Sequence, residues 1–323
     1  MVASGGLSGN VFLTGGTGTL GLALLLLAQE EAWPCRFTVF SRDAVRQQRA
    51  RALFPQHHYV LGDVRDLERL TLAMAGHDLV IHAAAIKHIP DAEANPAECV
   101  GINVTGSLNV VLAAARLGIR RVVGISTDKA VAPLNIYGMS KAVMERLFQG
   151  ACAWSLSATM ARYGNVVSSN GSVIPYWRRL AAEGKPLPVT DMRMTRFWMS
   201  AEDAVRLIVV ASREEPGCIV IPQARAMKIV DVARVAGGSS AQLVDVGMRP
   251  GEKVHEDLVS EQEIAWLEQR QGYHVLRPMT GPAVHQMDAW RYVRSNAPDG
   301  GWLEPEEMAA LIAAADERER WLG

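Results

Sequence analysis

The chain has 323 residues, enough for one large α/β domain or two smaller units around a substantial core. Its 33 basic and 34 acidic side chains are interspersed and leave a net charge of −1, which argues against the concentrated basic face of nonspecific nucleic-acid binding. Cys35, Cys99, Cys152 and Cys218 lie far apart without a CxxC pair, so reduced, mostly buried thiols in a cytoplasmic protein are expected, with no disulfide framework.

Met1–Asn10 lacks the basic and apolar regions of a secretion signal and reads as a loose leader. Val11-Phe12-Leu13 then predicts a strand, and Gly15, Gly18 and Gly21 follow it and open a helix over 19–29. In that context the backbone amides of the turn, with Thr17, Thr19 and Leu20, can face a pyrophosphate. Leu20–Ala28, the longest apolar run, is about half the roughly 20 residues of a membrane span, so it is expected as a buried helix without a membrane partner. Phe37–Phe40 predicts the second strand. Ser41-Arg42 ends it where an acidic residue would meet a free ribose 2′-hydroxyl, which favours NADP over NAD; the alternative is a solvated arginine opening the helix over 42–53.

His57-His58 is expected at an exposed strand start before Tyr59–Leu61. Asp63-Val64 beyond it could bracket an adenine, or form a simple turn. A helix over 67–75 leads to the strand Leu79–Ile81, after which Ala83-Ala84-Ala85 would let a cofactor backbone approach closely. Lys87 and His88 follow and could line the pocket, with a structural histidine the alternative for His88. On the helix predicted over 97–117, Asn103 could hydrogen-bond main chain near the site.

Strand Val122–Ile125 ends in Ser126-Thr127-Asp128-Lys129, and a helix is expected over 137–152. Tyr137 and Lys141 stand at i and i+4, on one face of that helix. Lowering a tyrosine from about 10 to near 7 takes roughly 4 kcal/mol, of which an ammonium about 5 Å away would supply roughly 3 kcal/mol at an effective dielectric of 20. Asp128-Lys129 is more than an alcohol dehydrogenase needs; it adds an acid and a base, unless it is a surface ion pair. After Arg162 the pattern becomes irregular. The expected division is 1–163 mainly for NADP and 164–323 mainly for substrate, with later segments returning to the main sheet. The alternating strands and helices predict a Rossmann-type, doubly wound parallel sheet with a smaller C-terminal lobe. The eight histidines offer no metal-ligand spacing, so no metal is expected.

These residues resemble the inverting UDP-N-acetylglucosamine 4,6-dehydratases among the extended short-chain dehydrogenases/reductases. The resemblance runs through Thr14 to Gly21, Phe40-Ser41-Arg42-Asp43, Gly62 to Asp66, His82 to His88, Asn103 to Gly106, Ser126 to Ala130, Tyr137 to Lys141, Arg162 to Val166, Met194 to Trp198 and Arg249 to Lys253. Met139-Ser140 and Trp266–His285 depart from the pattern. The resemblance implies that NADP accepts hydride from C-4 of a UDP-N-acetylhexosamine while Tyr137 takes the hydroxyl proton, beside Thr127 and Lys141. Lys129 would remove the C-5 proton, Asp128 would protonate the departing C-6 hydroxyl, and C-6 reduction with opposite-face protonation of C-5 would give an inverted 6-deoxy-4-keto sugar. Lys87, Asn165, Arg196, Arg249 and Glu252 would contact the nucleotide sugar, though any of the arginines could be a structural ion pair. A 4-epimerase or an inactive NADP-binding sensor is the alternative. An apolar side of the tyrosine helix, Val143, Met144, Leu147 and Phe148, suits either a homo-oligomer interface or the chain's own core.

Overall fold

A computed structural model of the chain describes residues 5–284, 293–298 and 300–322. The start of the leader, Met1–Ser4, and His285 at the end of the divergent stretch lie outside them.

The fold is α/β, built on a nine-stranded sheet. Six strands come from the first half of the chain: β1 (Gly9–Thr14), β2 (Cys35–Ser41), β3 (His58–Leu61), β4 (Leu79–His82), β5 (Arg121–Thr127) and β6 (Ser157–Tyr163). Their spatial order is β3-β2-β1-β4-β5-β6, all parallel, and Ile219–Pro222 extends the parallel set beyond β6. Tyr273–Leu276 and Leu267–Arg270 close that edge in antiparallel pairing. Helices cover both faces, so the central strands read as continuous apolar runs; Val11, Phe12 and Leu13 are fully buried. The order reverses between β1 and β4, which opens a crevice at the carboxyl ends of the strands.

Helix Thr19–Glu30 buries Leu24 and Leu25 in the core on one face of the sheet, against helix Ala201–Ala211. The second helix begins later than its sequence suggests, at Ala44, because Asp43 caps it by accepting the Arg46 amide. The helix expected over 97–117 is interrupted: Pro96–Val100 passes through a π-turn at Gly101–Thr105 into Gly106–Leu117. By length and composition Pro96–Leu117 could cross a membrane, but Val110, Val111, Ala113 and Ala114 are wholly buried, as in a core helix. His57 also departs from expectation. It is buried against Phe37, accepts that residue's amide on Nδ1, and burial lowers its pKa to about 4. A further apolar cluster around Ile174, Trp177, Leu187 and Trp198 packs the segments beyond β6.

Candidate active site

The carboxyl ends of β1, β4 and β5 and the loops beyond them line one cleft of about 1790 Å³. Single small-molecule pockets run to roughly 300–1,000 Å³, so this one has room for two ligands end to end. Gly15, in the left-handed region at φ +68°, makes its floor; a Cβ there would lie 2.7 Å from the Ala84 amide nitrogen. Gly21 touches the turn from the helix side, where a Cβ would meet Gly16 Cα at 2.3 Å. Thr17, Gly18, Thr19 and Leu20 complete this wall, with Ala83, Ala84 and Ala85 opposite. The cradle has no side chains in the way of a dinucleotide, and the helix N-terminus behind it suits a pyrophosphate.

At the β2 end, Ser41 and Arg42 line the cleft together with Arg46, which the sequence reading did not single out. Arg46 stands in the first turn of the capped helix and pairs with the Asp43 carboxylate at 3.4 Å. Val64 lines the cleft, but the Asp63 carboxylate is committed to Arg65 at 2.7 Å and Arg42 at 3.5 Å and forms no part of the wall. Asn103 is likewise behind the wall. Its amide accepts from Ile86 N at 2.8 Å and donates to Ile86 O at 2.9 Å and to Ser140 Oγ at 2.9 Å, tying the loop after β4 to the tyrosine helix. Lys87 is on the wall, with its pKa lowered by burial.

The reacting groups converge where β5 meets helix Ile136–Ala151, which Asn135 caps by accepting the Gly138 amide at 2.8 Å. Lys141 Nζ donates to Ile125 O at 2.8 Å, and burial pulls its pKa down to about 8. The phenol differs from its expected state. Burial holds the Tyr137 pKa above the ordinary value, and the largest influences lowering it are the Lys129 charge and a hydrogen bond with Thr127.

Lys129 reaches the cleft with 17% of its side chain exposed and donates to Asp128 Oδ1 at 2.9 Å and to Asn165 Oδ1 at 3.2 Å. Burial pulls its pKa down, but Asp128 and Glu256 outweigh that and hold it above the ordinary lysine value. Asp128 itself is fully buried behind Lys129, and Thr127 Oγ1 also donates to its Oδ1 at 2.8 Å. Thus Thr127, Lys129, Tyr137, Lys141 and Asn165 share the wall, while Asp128 supports it.

Arg196 lines the cleft but spends its guanidinium on main chain, donating to Thr195 O, Val254 O and Lys253 O at 2.7–3.0 Å. Arg249 and Glu252 form the far wall, where Glu252 accepts the Arg249 amide at 3.0 Å. Glu256, missed by sequence, is brought beside Lys129 by the loop Arg196 holds. Its signal was a glutamate three residues after Lys253, which means nothing until that loop is placed.

A nucleotide-cradling Rossmann cleft with the Tyr-x3-Lys pair on its floor defines an extended short-chain dehydrogenase/reductase. Residues 11–278 match the polysaccharide biosynthesis protein family, and the chain belongs to that family. The resemblance to the inverting UDP-N-acetylglucosamine 4,6-dehydratases is borne out: the enzyme of that name from Campylobacter jejuni is 40% identical over 277 residues, 83% of each chain. A UDP-glucose 4-epimerase from Rickettsia canadensis is 38% identical over 284 residues, 84% of this chain and 83% of the relative. Among solved structures, Pen from Bacillus thuringiensis superposes with a TM-score of 0.85 at 30% identity, covering 94% of this chain and 97% of its own.

Proposed function

We propose that the protein catalyses NADP-dependent 4,6-dehydration of a UDP-N-acetylhexosamine, UDP-N-acetylglucosamine, with inversion at C-5. One observation carries this reading: an amine, Lys129, faces the cleft beside Tyr137 and is backed by a buried carboxylate at 2.9 Å. Oxidation at C-4 followed by 4-epimerisation needs the tyrosine alone and would give this ammonium no task.

The nicotinamide, when bound, supplies the acceptor for hydrogen at C-4 and the donor to C-6. Tyr137 takes the C-4 hydroxyl proton, with Thr127 fixing the phenol and Lys141 the floor beneath it. The resulting C-4 ketone acidifies C-5, and Lys129, after passing its own proton to Asp128, removes the one at C-5. Asp128, bonded to Lys129 at 2.9 Å, gives its proton to the departing C-6 hydroxyl so that water leaves. Ser41, Arg42 and Arg46 give the ribose end the positive, hydroxyl-bearing wall that suits a 2′-phosphate, which supports NADP over NAD. We assign 1–163 mainly to the cofactor and 164–323 mainly to the nucleotide sugar, the latter through Asn165, Arg249 and Glu252. The four unpaired cysteines accord with a cytoplasmic enzyme.

The test is incubation with UDP-N-acetylglucosamine and NADP in deuterated water. The expected product has lost one water and carries deuterium at C-5, and Tyr137→Phe abolishes its formation. An unchanged-mass C-4 epimer would establish epimerisation instead.

A further inference from the structure

Behind the cleft a chain of hydrogen bonds runs from the cofactor floor to the tyrosine helix, and His82 stands in its middle. The ring, at the end of β4, is fully buried, and Phe148 of the tyrosine helix stacks on it with ring centres 6.2 Å apart. Its Nδ1 is 2.8 Å from Thr14 Oγ1 and its Nε2 is 3.0 Å from Ser107 Oγ. Ser107 has one hydroxyl proton and donates it to Asn103 O at 2.5 Å, so towards the ring it can only accept. By this proton count the ring proton is on Nε2 and Nδ1 accepts from the Thr14 hydroxyl, while Thr14 Oγ1 accepts the Ala84 amide at 3.2 Å. Burial and the Lys141 charge lower the His82 pKa to about 3, so the ring is neutral. Beyond Asn103 the chain goes on: its Nδ2 donates to Ser140 Oγ at 2.9 Å, and Ser140 Oγ donates to Tyr137 O at 2.7 Å. The other end is the floor itself, since Ala84 N is the atom a Cβ on Gly15 would meet at 2.7 Å.

We propose that His82, as the neutral Nε2–H tautomer, is a positioning residue for hydride transfer: it fixes the Gly15–Ala84 floor, and with it the cofactor lying there, against the helix that carries Tyr137. His82 touches neither ligand. The proposal rests on the C-4 oxidation of the function given above and on no later step. In that oxidation hydride leaves C-4 for the nicotinamide while the hydroxyl proton goes to Tyr137, so cofactor, sugar and phenol must be aligned at the same moment. The sheet holds β1, β4 and β5 side by side; the chain adds a tie from their ends to the Tyr137 carbonyl. Between the floor and Asn103 it has one arrangement, because both ends are backbone groups that cannot exchange roles: the Ala84 N–H donates and the Asn103 C=O accepts. A buried network with every member satisfied holds its parts in one geometry. A neutral imidazole suits the middle of it, accepting at one edge and donating at the other across a rigid ring.

The experiment cuts the chain on either side of the ring, with Thr14→Val, Ser107→Ala and the two together. Single turnovers of UDP-N-acetylglucosamine on the NADP-loaded proteins follow C-4 oxidation through the near-ultraviolet absorbance of the reduced nicotinamide. Cofactor affinity and the urea midpoint are measured on the same proteins. Ser107→Ala should oxidise C-4 roughly 10- to 100-fold more slowly, the scale of a misplacement near 1 Å, with cofactor affinity unchanged because the floor end of the chain is intact. Cutting one chain twice should cost little more than cutting it once, so the double variant should match the slower single variant. Thr14→Ser, which keeps the hydroxyl, should stay near the parent. Ser107→Ala oxidising at the parent's rate, with a lowered urea midpoint alone, makes the chain a stabilising feature and overturns the proposal. So do losses that multiply in the double variant, or a Thr14→Ser as slow as Thr14→Val, which would place the effect in packing and not in the bond. If Ser107→Ala does not fold, the contrast between Thr14→Val and Thr14→Ser decides by itself. A parent that never reduces the nicotinamide with this substrate defeats the C-4 oxidation itself, a result distinct from all of these.

Discussion

Lys141 shows how a single side chain carries a cost for its position. Its amine is buried under β5 with one carbonyl and a thioether sulfur as hydrogen-bond partners, and its pKa falls from an ordinary 10.5 to about 8. Between those values the unfolded chain binds the proton that the folded chain has released, so stability rises with pH across that window. The penalty is fully present below pH 8 and is gone above 10.5, a change of about 3 kcal/mol. Lys141→Met, which keeps the length and removes the charge, should therefore be more stable than the parent at pH 7.5, with the advantage disappearing by pH 10.5. Urea midpoints of the two proteins at both pH values give the difference directly, and a gap that does not close would show that the amine is solvated. The sequence placed Lys141 correctly by its spacing from Tyr137, but it suggested that this ammonium holds the phenol low. Depth decided otherwise, and depth is not encoded in a spacing of four.

The element that organises the site is helix Ile136–Ala151, and Gly138 lets it come close. A Cβ at Gly138 would lie 2.2 Å from the Lys129 carbonyl oxygen and 3.1 Å from Pro133 Cβ, so the helix packs directly on the backbone of the turn that holds Asp128 and Lys129. Gly138→Ala must push helix and turn apart, and the obstacle is backbone that cannot swing aside. Overpacking of this kind costs about 1–3 kcal/mol. The larger effect is expected on turnover, because Tyr137 and Lys129 move relative to one another and a displacement near 1 Å can cost roughly 100-fold. The glycine turn on β1 is untouched, so a fall in kcat with unaltered affinity for the nicotinamide cofactor is the signature to measure. The same helix tests the apolar face noted in its sequence: Met144 and Phe148 are fully buried in the chain's own core, while Val143 stays exposed. Elements whose apolar runs alternate with turn residues were legible, strands β1 to β5 above all. The π-turn at Gly101–Thr105 was not, because Gly106 is there to meet Val64, where a Cβ would approach Cγ2 to 2.5 Å, a contact between elements more than forty residues apart.

Across the whole molecule, the two halves of the chain are joined behind the site by one buried guanidinium. Arg162 on β6, 1% exposed, donates to Glu145 Oε2 at 2.7 Å on the tyrosine helix and to Glu263 Oε1 at 2.8 Å, and also to Leu258 O at 2.9 Å. Ser126 on β5 donates to the same Glu145 at 2.6 Å. A floor strand, the helix bearing Tyr137 and the segment that continues from Glu256 therefore share one cation. The sequence supplied Arg162 as part of a motif but gave no reason for it, since both carboxylates come from elsewhere in the chain and Glu263 from a stretch with no readable periodicity. Removing the cation leaves two buried carboxylates facing each other, so Arg162→Met should cost about 3–5 kcal/mol. Adding Glu145→Gln and Glu263→Gln to that variant removes the uncompensated charges and should recover most of the loss in urea unfolding. If the network serves only stability, the triple variant should also recover turnover; if it sets the register between Tyr137 and Glu256, stability should return while kcat stays low. Arg162→Met alone within 1 kcal/mol of the parent, on the order of an exposed ion pair, would show that the two halves are held together by their apolar core without it.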